Sequence, residues 1–201
     1  GEYIVLDRNL GATRAEQSSD DSEWQETKGL AYQWGRKDPF VRYKEDNWYE
    51  GTQPTVRYST SYDQVPIATT IANPTVFYGL EHSYWTDSSN QSLWSVGKKT
   101  IYDPCPPGYR VPDRNIWKGF TQNGNSVYGE FEQYVIQSVD RKGWNFIYDG
   151  YNATYYPATW CININGNVEE QHYVTLWSSE SCNSSRSYTF RSYYYTEGDS
   201  H

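Results

Sequence analysis

The chain has 201 residues and a formal net charge of -8, from 25 acidic and 17 basic side chains. That balance argues against nucleic acid as a target, because no basic stripe is present to neutralise phosphates. No apolar run approaches membrane-span length, and no secretory leader opens the sequence. One domain over 1–201 is expected, long enough to bury a core. Aromatic residues make up 18% of the chain, with 21 Tyr and 9 Trp, so many rings must lie at or near the surface. Recognition surfaces favour such rings, which give broad, stiff contact at low entropic cost. With no Met and a Gly at position 1, 1–201 reads as the downstream part of a longer secreted product.

Taken in order, residues 3–6 form a short apolar strand closed by the polar turn Asp7-Arg8-Asn9. Residues 15–28 are an acidic loop with Trp24 as its one large anchor. Leu30, Tyr32 and Trp34 share one face of a strand over 29–35, which Arg36-Lys37-Asp38-Pro39 ends. The Asp7/Arg8 and Arg36/Asp38 groups are expected to form a polar network behind the core. Residues 41–92 are the least regular, with Pro54, Pro66 and Pro74 scattered among polar residues and short strands such as Val76-Phe77-Tyr78. A loop of that length in a compact domain is functional or decorative.

The organising stretch is 101–117, IYDPCPPGYRVPDRNIW. Pro104, Pro106, Pro107 and Gly108 surround Cys105, so the backbone there is stiff and cannot be helical. Pro112 pushes Val111 to an extended conformation, Asp113 is an N-cap, and 114–122 follows as a short helix. Ile116, Trp117 and Phe120 give that helix an apolar side. Tyr128, Phe131 and Val135 have helical spacing, but from Tyr134 a hairpin is preferred, with 134–139 and 144–148 flanking a DRKG turn. A second hairpin joins 154–164 to 168–177 through Asn165-Gly166. Over 188–195, Tyr188, Phe190, Ser192 and Tyr194 alternate with Thr189, Arg191, Tyr193 and Tyr195. The face with Phe190 is expected to be buried and the other to offer Arg191, Tyr193 and Tyr195.

The run SLWSVGKKTIYDPCPPGYRVPDRNIW resembles the major paralogous domain of gut Bacteroidetes surface proteins, often attached to fimbrillin-like proteins. Three further blocks fit the same pattern in the same order. They are IVLDRNLGATR at 4–14, GLAYQWGRKDPF at 29–40, and YYPATW followed by LWSSES within 155–181. The resemblance implies an α+β chain of C-type lectin-like fold, mostly short antiparallel strands with one or two short helices and long loops. It implies kinship with the variable proteins of diversity-generating retroelements, and a first strand lying beside a closing C-terminal strand. It also implies that the cysteine after the proline corner pairs with one near the C-terminal end, in a strand this chain lacks. Cys105, Cys161 and Cys182 are therefore all disulfide candidates, with Cys161–Cys182 one pairing that sequence alone does not fix.

No catalytic constellation rises above the background. The three histidines, His82, His172 and His201, share no motif, Ser178-Ser179 lacks a nucleophile elbow, and adjacent carboxylates such as Glu169-Glu170 suit a solvated strand. No metal site is expected, for neither a zinc spacing nor the acidic-proline-asparagine signature of calcium lectins occurs, and a structural calcium would have no motif behind it.

SSESCNSSRSYTFRSYYYTEG, by contrast, has the Tyr, Ser, Asn, Arg and Gly content of an adaptable paratope. The expected ligand contacts are Trp177, Asn183, Ser185, Arg186, Tyr188, Arg191, Tyr193 and Tyr195. Asp7, Arg8, Trp34, Cys105, Pro107, Tyr109, Pro112 and Trp117 are expected scaffold. The expected role is adhesin-like recognition of a glycan or protein receptor, on a bacterial cell surface or pilus, without enzymatic activity, cofactor, nucleic acid or membrane insertion. The alternatives are a structural module of a surface appendage and, third, an enzyme of the formylglycine-generating type.

Overall fold

The computed structural model describes residues 4–15, 26–40, 42–44, 48–50, 55–60, 64–80, 85–86, 93–116, 134–139, 143–148, 151–157, 159, 161–163, 165, 168–169, 173–183 and 186–193. Thirteen short strands and one helix are named within them. The first half holds β1 (Ala31–Tyr32), β2 (Pro39–Phe40), β3 (Arg42–Lys44), β4 (Trp48–Glu50), β5 (Thr55–Ser59), α1 (Ile67–Ala72) and β6 (Val76–Leu80). The second holds β7 (Tyr134–Val139), β8 (Gly143–Tyr148), β9 (Tyr151–Pro157), β10 (Cys161–Ile162), β11 (Val168–Glu169), β12 (Tyr173–Asn183) and β13 (Arg186–Tyr193). They form small sheets, five of two strands and the three-stranded β7-β8-β9. The arrangement is α+β, with antiparallel pairing except in one place.

The exception is β5–β6, which pair in parallel from Thr55 opposite Val76 to Ser59 opposite Leu80. A parallel pair cannot be closed by a tight turn, and α1 supplies the crossover. Pro66 opens the helix, where its missing N–H costs nothing. Asn73 closes it, donating its N–H to Thr70 O (3.2 Å) and its side-chain Nδ2 to Thr69 O (2.8 Å). The sequence reading of 41–92 as largely irregular is corrected here: 55–80 is a compact β-α-β unit. Its strand at Val76-Phe77-Tyr78 was expected; its helix and parallel pairing were not.

The core gathers Trp34, Val76, Tyr78, Trp85, Leu93, Trp94 and Val111, with Tyr32, Cys105 and Trp177 packed against it. Buried indoles need an acceptor for their one N–H. Trp34 donates to Ser178 O (3.0 Å), Trp85 to Trp34 O (2.8 Å), Trp94 to Tyr102 O (3.0 Å) and Trp177 to Tyr32 O (3.0 Å). The ring of Trp94 meets Trp34 at 5.7 Å and Trp177 edge-on at 6.5 Å. These four rings therefore bind segments far apart in sequence through main-chain oxygens as well as apolar contact.

The proline corner is built on Asp103, which is 2% exposed. Its Oδ1 accepts the Cys105 N–H (2.9 Å) and the Lys99 ammonium (3.0 Å), and its Oδ2 accepts the Val111 N–H (2.9 Å). Lys99 also donates to the carbonyls of Cys105 and Tyr109. One ion pair thus ties the two ends of the proline loop together. Asp113 acts as the expected cap, accepting the Asn115 N–H at 2.8 Å. Residues 114–116 form a single 3-10 turn; the remainder of the expected 114–122 helix lies outside the described residues.

Other expectations change. Residues 4–6 form no strand: Ile4 is 82% exposed, and Leu6 O only accepts from the Tyr156 hydroxyl at 3.4 Å. Pairing over 29–35 shrinks to Ala31–Tyr32, because Gly29 and Gly35 adopt left-handed φ of 76° and 83° and turn the chain at either side. At Gly35 a Cβ would also stand 2.8 Å from Leu93. Asp7 and Arg8 pair with each other at the surface, while Arg36 lies buried among carbonyls, so the expected shared network is two separate arrangements. The hairpin from Tyr134 forms as expected, Tyr134 opposite Tyr148. Of the second hairpin, the described residues pair Cys161–Ile162 with Val168–Glu169. Tyr151–Pro157 joins β8 and Tyr173 onward joins β13 instead.

Candidate functional site

The expected recognition stretch folds as the β12–β13 hairpin. Tyr173 stands opposite Tyr193, Val174 opposite Ser192, Thr175 opposite Arg191, Leu176 opposite Phe190 and Trp177 opposite Thr189. Cross-strand partners share a face, and faces alternate along each strand. Arg191 and Tyr193 therefore share one face with Tyr173, Thr175 and Trp177. Phe190 and Ser192 share the other with Leu176 and the fully buried Val174. Whether Phe190 is buried and Arg191 and Tyr193 are offered, as expected from sequence, lies outside the described side chains. Tyr188 does not fit that division, since the register breaks where it stands.

That break is a wide bulge. Trp177 faces Thr189 and the next aligned pair is Ser181 with Ser187, so residues 178–180 oppose Tyr188 alone; a further shift precedes Asn183 opposite Arg186. The bulged residues are sewn into the scaffold. Ser178 O accepts the Trp34 indole, Ser179 donates its N–H to Pro112 O (2.8 Å), and Glu180 Oε2 accepts the Arg114 N–H (2.9 Å). Glu180 also faces Arg114 Nε at 3.6 Å, and its own N–H donates to Ser178 Oγ (3.1 Å). Ser178 and Ser179 are both buried, which no alternating pattern would give.

Trp177, counted among the ligand contacts from sequence, is half-buried, bonded to Tyr32 O and stacked edge-on against Trp94. It fixes the base of the hairpin. Asn183 stands opposite Arg186, and Thr189 on β13 is exposed. Ser185 and Tyr195 lie outside the described residues, as does scaffold candidate Trp117. Among the described residues no group of three or more His, Cys, Asp and Glu could hold a metal ion. No described helix is long and apolar enough to cross a membrane.

Cys105 is a half-buried free thiol whose pKa is pushed up to about 12, first by burial and then by Asp103 beside it. Cys161 stands on β10 and Cys182 at the bulged end of β12, in two different sheets. Tyr32 and Tyr156 are likewise raised to about 12 by burial.

A concavity that sequence reasoning missed opens beside Arg36 and α1, with a volume of about 340 Å³. A signal existed in the Ile67/Ile71 spacing between Pro66 and Pro74, but it spans less than two helical turns. No family model, curated protein or solved structure matches this chain.

Proposed function

We propose that this chain is an extracellular recognition domain of C-type lectin-like fold, belonging to a bacterial surface or pilus-tip protein related to the major paralogous domain. It holds a glycan or protein receptor on β13 and the tip of the β12–β13 hairpin. The observation that carries this reading is the asymmetry of the hairpin. β12 is stitched into the core through Trp177, Ser178, Ser179 and Glu180. β13, among the described residues, has β12 as its sole ladder partner, and its exposed Thr189 lies amid a run of Ser, Tyr and Arg. A rigid base carrying an outer strand of adaptable polar and aromatic residues suits binding better than chemistry. The contact set is Asn183, Ser185, Arg186, Tyr188, Arg191, Tyr193 and Tyr195, with Trp177 as its support.

The test is a glycan-array and cell-binding screen of the 201-residue chain, with and without EDTA, beside Tyr188/Arg191/Tyr193/Tyr195→Ala. Binding lost in the variant and indifferent to EDTA is expected. Binding abolished by EDTA would replace this face by a calcium site. A folded protein that binds nothing would favour a structural module of a surface appendage.

A further inference from the structure

We propose that the cleft beside Arg36 is a second binding site, separate from the hairpin, for a small organic anion: a carboxylate carried on an aromatic or aliphatic body. The cleft's volume, about 340 Å³, lies within the range of sites that enclose small molecules. Its apolar walls come from Ile67 and Ile71 of α1, from Trp85 and Leu93, and from Ile101 and Tyr102 beside the proline corner. Ile71 is 56% and Ile101 77% exposed, and both line this one opening. Single exposed isoleucines are ordinary; two on one concavity that also holds a buried cation are not.

Arg36, also in the lining, is 4% exposed. Its Nη1 donates to Val76 O (2.5 Å) and Gln33 Oε1 (3.3 Å), and its Nη2 to the carbonyls of Pro74 (3.0 Å), Asn73 (3.3 Å) and Thr70 (3.4 Å). The rings of Phe40, Tyr78 and Trp85 lie 5.3–5.9 Å from its guanidinium carbon. Each of these partners is formally neutral. Its hydrogen bonds go to dipoles and it lies over ring faces, while the exposed Asp38 carboxylate acts on it through space without a direct ion pair among the described residues. The remaining charges of the lining are the exposed Lys37 and Asp38, so the cleft keeps one net positive charge in a chain whose total is -8. An anion is drawn in and a cation is not. The walls add selection for an apolar body on that anion, since a bare inorganic ion would leave them unused.

The experiment titrates the whole chain with 3-phenylpropionate and with its neutral counterpart, 3-phenylpropionamide, reading tryptophan fluorescence and the indole N–H signals by NMR. Saturable binding of the acid is expected, with the amide about tenfold weaker, because it lacks the charge that the net positive lining attracts. Ile71→Asp and Ile101→Asp alter exposed positions and should each weaken the acid about tenfold without changing the circular dichroism. Lys37→Glu should weaken it by a smaller factor. Equal affinity for acid and amide, or no saturation by either in the folded wild-type chain, would overturn the proposal. Unchanged affinity in both isoleucine variants would do the same. The Tyr188/Arg191/Tyr193/Tyr195→Ala chain should bind the acid as wild type does, which keeps this site's failure distinct from that of the hairpin.

Discussion

The corner around Asp103 and the crossover around Arg36 solve one problem in opposite ways. Each buries a full charge, 2% exposed in one case and 4% in the other. Asp103 is met by an opposite charge, Lys99, and by two backbone donors, so its carboxylate organises a loop with little secondary structure of its own. Arg36 donates instead to carbonyls at the end of α1 and the start of β6 and to Gln33 Oε1, with the exposed Asp38 acting on it only through space. The difference lies in what each charge leaves behind when removed. Buried N–H groups without an acceptor are costly and rare, whereas carbonyls have a second lone pair and often a second donor. Thr70 O and Asn73 O already accept the N–H groups of Asn73 and Val76. Asp103 is therefore the more essential of the two, although Arg36 makes more hydrogen bonds.

Replacing Asp103 by Ala tests this most severely. It strands the Cys105 and Val111 N–H groups and the Lys99 ammonium, and should cost about 3–5 kcal/mol in urea unfolding, enough to unfold a marginal domain. Arg36→Met should cost less, about 1.5–3 kcal/mol on the same measurement, because its chief orphans are the oxygens of Val76 and Pro74. If Arg36→Met proved the more damaging, the comparison would be broken. Arg36→Lys would sharpen it, for a single ammonium cannot reach the span of carbonyls that the guanidinium fork does.

The corner also makes a pH signature. Cys105 has a folded pKa near 12 against an ordinary 9.0, so the folded state holds that proton more tightly than the unfolded chain. Its contribution is fully present below pH 9 and is lost as pH rises toward 12. Tyr32 and Tyr156, raised from 10.0 to about 12, act in the same direction from a pH one unit higher. Unfolding free energy measured from pH 8 to 11 should therefore fall, and Cys105→Ala should flatten the part of the fall that begins near pH 9. Smallest of all should be Glu180→Gln. The Arg114 pair is half solvent-exposed, so melting should shift by no more than the equivalent of about 0.5–1 kcal/mol.

What could be read in advance follows the same division. The proline corner was legible because its determinants are local: Pro104, Pro106, Pro107 and Gly108 restrict the chain within a few residues, and Asp113 caps what comes next. The hairpin from Tyr134 was legible through its DRKG turn and alternation. The crossover was not, because a six-residue helix shows too little periodicity and a parallel partner gives no local signal. Of the recognition stretch, its strand over 188–193 was readable, while the bulge opposite Tyr188 was not. Nothing in the string WSSES says that two adjacent serines are both buried, and Trp177 looks from sequence like any aromatic on a binding strand. Its anchoring depends on Tyr32 O, a partner 145 residues away.

The bulge in β12 has a consequence for variation. In an unbroken ladder each substitution on one strand is judged by the residue across from it, so the two strands must change together. Here residues 178–180 stand against Tyr188 alone, and a second slip separates Ser181 from Asn183. Tyr188 is thereby freed from a one-to-one partner, while Ser187 and Arg186 keep theirs in Ser181 and Asn183. A substitution at Tyr188 therefore meets no single opposing side chain, while Trp177 and Val174 keep their own neighbours.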